Sequence, residues 1–352
     1  MKFWDREKEK EWLKRYLKSE PNAILFVYGP KSSGKSTLLF QVVKELSKRK
    51  WFVQKYDMYW YDLRGKMISS YRDVVDVFFR TEDTEAGKFI SSVEKETDIG
   101  LPTLARFKVK ASLRNEFYTK MADPFEYMEA VLRKSKKKHI VIFDELQKLK
   151  DVYMNGNGDG QKSQRPLVKE LFNFFVRLTK VLHLSHVIVM SSDTFFIEEV
   201  YNDSTLVNTS RYFLVDFFDD KTTQKILEDE GFSKAEAKEI AELIGGVPWM
   251  IEEVIKGRNE ALNSLYREVR GNVREIMTGI YEQDEKMYEL AVEFLKKLIG
   301  EGKGKLLKED RKVAKILVEK ELLFYDPLDG VVRFQTELHH RAADELLKNG
   351  EI

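Results

Sequence analysis

Glycines, a lysine and hydroxyl side chains follow one another at residues 29–37, where the chain reads Gly-Pro-Lys-Ser-Ser-Gly-Lys-Ser-Thr. The spacing matches G-x-x-x-x-G-K-[ST], in which glycines let successive backbone N–H groups face one anion. Lys35 would reach the β- and γ-phosphates of a nucleoside triphosphate, the Ser36 hydroxyl would hold Mg²⁺, and Thr37 could add a hydroxyl near the α-phosphate. The predicted phosphate-binding residues are Gly29, Pro30, Lys31, Ser32, Ser33, Gly34, Lys35, Ser36 and Thr37.

The segments on either side of this loop have the expected character. Residues 23–28 are a short apolar run typical of a buried strand, and residues 38–46 carry apolar residues at helical spacing. A helix that begins near Lys35 would add its positive N-terminal end to the loop. A chance match to the motif would lack this strand–loop–helix context, so the context favours phosphate binding.

A pair of acids marks a second part of the predicted site. Residues 139–143 are apolar after the first histidine and lead directly into Asp144 and Glu145. Since α/β sheets bind ligands at the carboxyl ends of their strands, we expect Asp144 in the Mg²⁺ shell and Glu145 as the general base that polarises water. Gln147 could orient the same water. The alternative is a helix N-terminus whose dipole favours two acids.

Two further polar positions are candidates for contact with the γ-phosphate. Ser192, with Ser191 as second choice, follows the apolar strand pattern of residues 186–190 and would lie beside that phosphate. A serine here could equally be the N-cap of a helix over residues 194–200. Arg211 enters the next strand pattern, residues 211–216, and could act as an arginine finger or sensor. It could also be an ordinary surface charge.

The remaining pattern of the first 218 residues predicts an α/β fold. We expect helices over residues 3–18, with Asp5 as N-cap, and over 71–81, 83–99 and 166–182, and a strand over 51–57. Residues 101–114 are locally basic and read as a hairpin strand or a loop. Residues 153–165 are rich in Asn and Gly and predict a surface loop.

From residue 219 the strand pattern stops and helices are expected. Gly245-Gly246-Val247-Pro248 predicts a tight turn between two helices. Residues 283–352 give the order helix, helix, hairpin, which is that of a winged helix-turn-helix. Its second predicted helix carries Lys308, Arg311, Lys312 and Lys315, which could enter a DNA groove. Because the unit holds more acids than bases, packing against protein is the favoured interpretation.

We therefore predict three domains, at residues 1–218, 219–275 and 276–352. They are a parallel sheet with helices on both faces, a helical lid and a winged helix.

Composition limits the other kinds of site. The 352-residue chain has no cysteine, which excludes disulfides, thiolate metal sites and cysteine nucleophiles. The net charge is +1, so nucleic-acid contact would require a local basic patch. No signal peptide and no apolar run of membrane-spanning length is recognised, which predicts a cytoplasmic protein without membrane contact. Charged residues at 34% are typical of hyperthermophile proteins.

With these residues in place, the chain resembles the archaeal ATPase family, a STAND-type branch of P-loop ATPases related to AAA+ proteins. Residues 29–36 resemble its Walker A motif, and Asp144-Glu145-Leu-Gln147 resembles its Walker B motif. Residues 3–9 resemble the h-h-G-R-E-x-E motif, with Asp5 where glycine is usual, and residues 245–248 resemble the G-G-x-P turn of the lid. Arg211 resembles the arginine that follows the sensor strand.

The resemblance implies binding of ATP and ADP with Mg²⁺, and slow, regulated hydrolysis. It also implies that Arg6 and Glu7 contact the adenine or ribose and that Pro248 lies near the base. Members often act as nucleotide-dependent switches of domain arrangement or oligomer state, with partners that the residues do not identify. Two other functions stay open: an ATPase that acts on DNA through the winged helix or basic loops, and a non-catalytic nucleotide-binding scaffold.

Overall fold

The computed structural model describes residue 4 and residues 6–81, 107–154 and 165–352. Asp5, the predicted helix over 83–99 and most of the predicted loop over 153–165 lie outside these residues. Five parallel strands form the central sheet in the order β2-β5-β8-β1-β9. Their ranges are β1 Ile24–Tyr28, β2 Tyr56–Asp62, β5 Lys138–Asp144, β8 Ser185–Ser191 and β9 Ser210–Leu214. The apolar runs of β1, β5 and β8 are buried on both faces, as parallel strands require.

Helices cover both faces of this sheet, which confirms the predicted α/β architecture. On one face lie α1 Glu7–Lys18, α2 Lys35–Ser47 and α3 Lys50–Lys55, packed through residues such as Leu13, Leu39 and Phe52. On the other face lie α4 Tyr71–Phe78, α5 Ala111–Thr119, α6 Pro124–Lys134 and α7 Leu167–Val176, which a π-helical turn continues over Arg177–Val181. The sheet is thus the middle of three layers.

Short elements complete the first half of the chain. Two small strand pairs join β3 Phe79–Thr81 to β4 Phe107–Val109, and β6 Tyr153–Met154 to β7 Arg165–Pro166. The 3₁₀ turns are Leu146–Leu149 and Ser204–Leu206, and helix α8 spans Thr194–Tyr201. The ambiguous residues 101–114 therefore contain a strand and the start of a helix where the structure describes them.

One predicted strand is wrong over most of its length. Residues 51–57 were expected to be extended, but α3 occupies Lys50–Lys55 and the strand begins only at Tyr56. The buried Phe52 ring packs against Tyr56, with the ring centroids 5.2 Å apart. A single helical turn brings that ring into the core at the start of β2, so tertiary packing overrides the strand preference of this short aromatic run.

The second half of the chain is helical and ends in a small antiparallel sheet. Its helices are α9 Asp220–Asp229, α10 Lys234–Ile244, α11 Pro248–Gln283, α12 Glu285–Glu301, α13 Arg311–Glu319 and α14 Glu337–Lys348. Its strands are β10 Lys303–Lys305, β11 Leu323–Asp326 and β12 Val331–Phe334, in the order β10-β12-β11. Helix α12, strand β10, helix α13 and the β11–β12 hairpin form the predicted winged helix.

The lid and the winged helix share one apolar core rather than two. Leu227 and Ile244 of the lid belong to the same buried cluster as Leu317 and Leu346. The expected boundary at residues 275/276 falls inside α11, which is 36 residues long and is interrupted only at Arg258 (φ 52°, ψ −134°). Among the described residues, no helix combines the length and apolar character needed to cross a membrane.

The lid turn contains a position that only glycine can occupy. A Cβ on Gly246 would lie 2.0 Å from the carbonyl oxygen of Phe218, whereas a Cβ on Gly231 would meet nothing closer than 3.8 Å. Both glycines have left-handed φ, +77° and +86°. Gly231→Ala should therefore lower the free energy of unfolding by about 1 kcal/mol through backbone strain alone. In Gly246→Ala the new Cβ also overlaps the backbone of Phe218, so the free energy of unfolding should fall by at least about 3 kcal/mol.

Guanidinium unfolding midpoints of the two alanine variants measure this difference. Equal losses at both positions would contradict the close approach of the lid turn to Phe218.

Candidate functional site

The phosphate-binding loop lies at the carboxyl end of β1, where the chain turns into α2. Gly29 adopts φ +147°, and a Cβ there would lie 2.2 Å from the carbonyl oxygen of Val215. Val215 approaches so closely because its N–H donates to the carbonyl of Tyr28, at 2.8 Å. Gly34, at φ +88°, is the residue before the first turn of α2. The motif needs glycine at positions 29 and 34 because both have a positive φ that L-residues rarely adopt. At Gly29 there is also no room for a side chain beside the backbone of Val215.

The side chain of Lys35 lies folded within this loop. Its Nζ donates to the carbonyl oxygens of Gly29 and Pro30, at 3.0 and 2.7 Å, and the residue is only 4% exposed. Burial lowers the pKa of Lys35 to about 8, although the nearby charge of Glu145 acts in the opposite direction. Because the Lys35 ammonium is buried, an anion that bound beside it would interact strongly with its charge.

Two oxygen ligands meet at the position predicted for the metal. The Ser36 hydroxyl donates to Asp144 Oδ2 at 2.7 Å. Adjacent ligands of an octahedral Mg²⁺ are about 2.9 Å apart at its usual bond lengths, so these two oxygens fit one edge of its coordination shell. Burial raises the pKa of Asp144, and the Ser36 hydrogen bond opposes that rise. No group of three or more acidic or histidine ligands occurs in the described ranges, so other ligands would be phosphate oxygens and water.

Glu145 is held at the end of β5 by polar side chains from three directions. Its backbone is left-handed at φ 64°. Gln147 Nε2 donates to its Oε2 at 2.5 Å, and the Ser192 hydroxyl lies 3.4 Å from both carboxylate oxygens. Ser191 in turn donates to Gln147 Oε1 at 2.9 Å. The helix α8 is capped by Asp193 instead, so neither serine is used as the N-cap.

The structure adds Arg64, which the sequence analysis did not select. Its guanidinium lies 3.2 Å from Asp144, 3.3 Å from Glu145 and 3.0 Å from the Ser36 hydroxyl. The residue follows β2, the strand beside β5, so its position depends on strand order rather than on any sequence motif. The sequence offers only a weak indication of this position, since Arg64 is followed by a glycine and lies just after β2, a strand that ends in an aspartate. Arg64 places a positive charge beside the predicted metal ligands.

Arg6 is brought to the loop, whereas Glu7 is not. Arg6 is buried and donates to the carbonyl oxygens of Ser33 and Asp216, both at 2.7 Å, and its guanidinium lies over the Phe218 ring. Glu7 faces solvent and pairs with Lys10. Arg6 is thus held against the backbone of the loop, and its contact with the adenine or ribose stays a prediction.

The lid turn reaches the same place through Phe218. Phe218 N–H donates to the carbonyl of Gly246 at 3.0 Å, and the half-buried Pro248 begins α11 two residues later. Arg6 therefore connects the phosphate-binding loop to the lid through the Phe218 ring. Thr37 is exposed on the first turn of α2, and the Ser33 hydroxyl is buried without a hydrogen-bond partner in the described part of the chain.

Arg211 does not join these residues. It pairs in register with Leu25, near the beginning of β1, and its guanidinium is exposed and donates to the carbonyl of Ser210. The phosphate-binding loop follows the other end of β1. An arginine that enters a parallel strand is separated from the loop at the strand's other end by the length of that strand, so Arg211 does not face the phosphate-binding loop of its own chain. Its role as a finger or sensor stays a prediction.

The winged helix is docked beside the phosphate-binding loop. Lys31 in the loop pairs with Glu321 at 2.5 Å, and the hydroxyl of Tyr28 donates to Asp326 at 3.1 Å. Two arginines complete the contact, since Arg333 pairs with both oxygens of Asp216 at 2.7 and 2.8 Å and Arg311 pairs with both oxygens of Glu198. Of the four basic residues suggested for DNA, Arg311 therefore binds protein.

A cavity of about 500 Å³ lies where loop, lid and winged helix meet. Lys31 and Ser32 line it from the loop, and Val247 and Met250 line it from the lid. One face of α11 and residues of the winged helix close the remaining sides. The volume is within the range of small-ligand sites, and its walls come from all three predicted units.

The chain is similar to an archaeal family of ATPase domains and to ATP-binding proteins. A family model described as an ATPase domain predominantly from Archaea matches residues 3–254. An uncharacterized ATP-binding protein of Methanocaldococcus jannaschii is 38% identical over 349 residues, which cover 95% of this chain and 91% of that protein. Another, from Pyrococcus abyssi, is 35% identical over 358 residues, 98% of each chain. Among solved structures, the Aeropyrum pernix ORC2 protein in ADPNP and ADP complexes has a TM-score of 0.49 at 11% identity, covering 99% and 95% of the two chains.

The position of Arg64 predicts an effect on metal affinity. Replacing Arg64 with alanine removes a half-exposed positive charge beside Ser36 and Asp144, so Mg²⁺ should bind about two to five times more tightly. Titration of Mg²⁺ against binding of a fluorescent ATP analogue measures the half-saturating concentration. Arg133→Ala, which removes an equal charge from the C-terminal turn of α6, is the control. Weaker Mg²⁺ binding in the Arg64 variant would contradict this interpretation.

Proposed function

We propose that this chain, which belongs to the family of ATPase domains found predominantly in Archaea, hydrolyses ATP and uses the reaction to change how its winged helix docks on the sheet. The arrangement of Lys35, Ser36, Asp144 and Glu145 supports hydrolysis. Contacts between the phosphate-binding loop and the winged helix support the change in docking.

Each residue has a defined part in the proposed reaction. Lys35 would leave the carbonyls of Gly29 and Pro30 and bind the β- and γ-phosphates, whose negative charge would stabilise the charged form that burial disfavours. Ser36 and Asp144 would hold Mg²⁺, which supplies charge neutralisation at the phosphate oxygens.

Glu145 would accept a proton from water as that water attacks the γ-phosphorus. The bond between this phosphorus and the oxygen of the leaving ADP then breaks. Gln147 and Ser192 would orient the Glu145 carboxylate through the contacts described above. Arg64 would have to move from the acids, or share them with the metal and phosphate, before this geometry is complete.

The observation that carries the proposed switch is the ion pair between Lys31 and Glu321. Lys31 belongs to the loop that would close around the triphosphate, and Glu321 belongs to the turn before the hairpin of the winged helix. Because Tyr28, directly before the loop, also bonds Asp326, a shift in the loop is transmitted to two points of the docked unit. Docking and nucleotide state are therefore expected to be coupled.

Glu145→Gln tests the hydrolysis half of the proposal. The amide keeps the size of the side chain and one oxygen that accepts a hydrogen bond, but it cannot take a proton from water, so kcat should fall about 10²- to 10⁴-fold. Phosphate release measures turnover, and binding of a fluorescent ATP analogue should stay within a few-fold of wild type. Lys35→Ala is the contrasting control and should lose binding itself. A wild-type protein without Mg²⁺-dependent turnover would instead favour a nucleotide-binding scaffold.

Spin-label distances test the switch half. Since the chain has no cysteine, two introduced cysteines can be labelled without background. Labels at the exposed positions Lys66, near the sheet edge, and Lys312, on α13, should give different distance distributions with Mg-ADP and with Mg-ATP in the Glu145→Gln background. A second pair at Lys66 and Lys180, both in the sheet unit, should not change.

Arg333→Ala removes the bidentate pair with Asp216 and should shift the ADP distribution toward the ATP one. Identical distributions in both nucleotide states would reject the switch and leave hydrolysis as a separate question.

A further inference from the structure

The edge of the sheet opposite the phosphate-binding loop is strongly basic. Two segments enter strands there, residues 48–57 before and into β2, and residues 133–138 before and into β5. Together they contain nine lysines and arginines and a single acid, whereas the whole chain has a net charge of only +1. The rest of the molecule is therefore net negative, and the positive charge is concentrated on one surface.

Strand pairing holds the two segments side by side. Tyr56, the first residue of β2, pairs in register with Lys138, the first residue of β5, so the two strands begin side by side about 5 Å apart. Helix α3 leads into the first strand and the turn after α6 leads into the second, which brings the two basic segments to the same end of the sheet. We name the exposed cations of these segments the basic edge. They are Lys48, Arg49, Lys50, Lys55, Arg133, Lys134 and Lys136. The exposed Arg211, at the beginning of β9, and Lys180, before β8, extend positive charge along the same edge.

Most of this charge is not neutralised within the protein. Lys137 pairs with Asp57 at 2.9 Å, Lys138 with Glu20 at 3.3 Å and Arg133 with Glu129 at 2.9 Å. The other six residues of the basic edge have no carboxylate within 4.0 Å among the described residues. A surface held by rigid strands and helix ends that keeps six uncompensated cations has the electrostatic character of a polyanion site.

An aromatic side chain lies among these cations. Trp51 is 39% exposed and packs edge-on against the buried Phe52 ring, with centroids 5.6 Å apart and an interplanar angle of 89°. The indole is therefore partly exposed in the same segment that carries the exposed Lys50 and Lys55. Aromatic rings interleaved with cations are the means by which proteins bind single strands, since bases stack on the ring and phosphates contact the cations.

From these observations we infer that the basic edge binds single-stranded nucleic acid, with phosphates on the lysines and arginines and a base stacked on Trp51. A duplex does not offer free base faces to Trp51, so the aromatic residue favours the single strand. This surface is separate from the ATP site, because α2, β2 and β5 each run from one edge of the sheet to the other. It is also separate from the winged helix, where Arg311 is paired with Glu198.

Fluorescence anisotropy of a labelled 30-nucleotide oligo(dT) tests the inference on the full chain. Wild type should bind at 50 mM salt, and log K should fall linearly with log[salt] at about −0.7 per phosphate neutralised. The variant Lys50→Glu/Lys55→Glu/Lys134→Glu/Lys136→Glu should bind at least about tenfold more weakly, with a slope less negative by about 3. Oligo(U) of the same length distinguishes RNA from DNA as the source of the single strand.

A matched control carries the same charge change on the winged helix. Lys296→Glu/Lys303→Glu/Lys308→Glu/Lys312→Glu replaces four exposed lysines there and should leave binding within about twofold of wild type. Circular dichroism checks that both variants are folded. If the fourfold variant of the basic edge does not fold, Trp51→Ala decides: it should weaken binding at least about fivefold without changing the salt slope.

Four results would overturn the inference. They are absence of binding by wild type at 50 mM salt, equal loss in the winged-helix control, unchanged affinity in Trp51→Ala, and tighter binding of a 30-base-pair duplex or of phosphatidylserine vesicles than of the single strand.

Discussion

All five strands of the central sheet run in the same direction, and this constraint separates the molecule into two chemically different edges. The strands end together at one edge, so Gly29, Arg64, Asp144 and Ser192 meet there although they are far apart in the sequence. The strands begin together at the other edge, which is reached by two basic segments, one that leads through α3 into β2 and one that leads from α6 into β5. A parallel sheet thus assembles one site from strand ends and a different surface from strand beginnings.

The edge that carries the predicted nucleotide site is also where the sheet contacts the lid and the winged helix. The phosphate-binding loop is tied to the lid through Arg6 and Phe218, and to the winged helix through Lys31 and Tyr28. Lid and winged helix share a single apolar core, so they are expected to move as one body against the sheet. Under the proposed switch, a change in the loop would therefore act on the whole C-terminal half rather than on a small flap.

The charged groups at this edge of the sheet are paired with polar or charged groups of the protein itself. Lys35 is desolvated and donates hydrogen bonds to two backbone carbonyls. The Arg64 guanidinium contacts the carboxylates of Asp144 and Glu145 and the hydroxyl of Ser36. Each charge that would face nucleotide or metal thus has a partner of opposite polarity inside the protein. ATP and Mg²⁺ would exchange these internal contacts for stronger ones, which links ligand binding to rearrangement of the site.

Local sequence patterns are sufficient to predict the phosphate-binding loop, the acids at the end of β5, the α/β class and the winged helix. Each of these depends on a local pattern, such as glycine spacing, an apolar run or a hairpin turn, and not on long-range packing. The sequence did not determine that residues 50–55 are helical, because Phe52 is drawn inward by contacts with Tyr56 that have no signature in the local pattern.

The tertiary structure is needed to know which side chains lie together at the same end of the sheet. It brought Arg64 to the acids, left Arg211 near the beginning of its strand and placed the beginnings of β2 and β5 side by side, with Tyr56 opposite Lys138. Strand order and direction fix these neighbours, and both result from packing of the whole sheet rather than from the residues of any one strand.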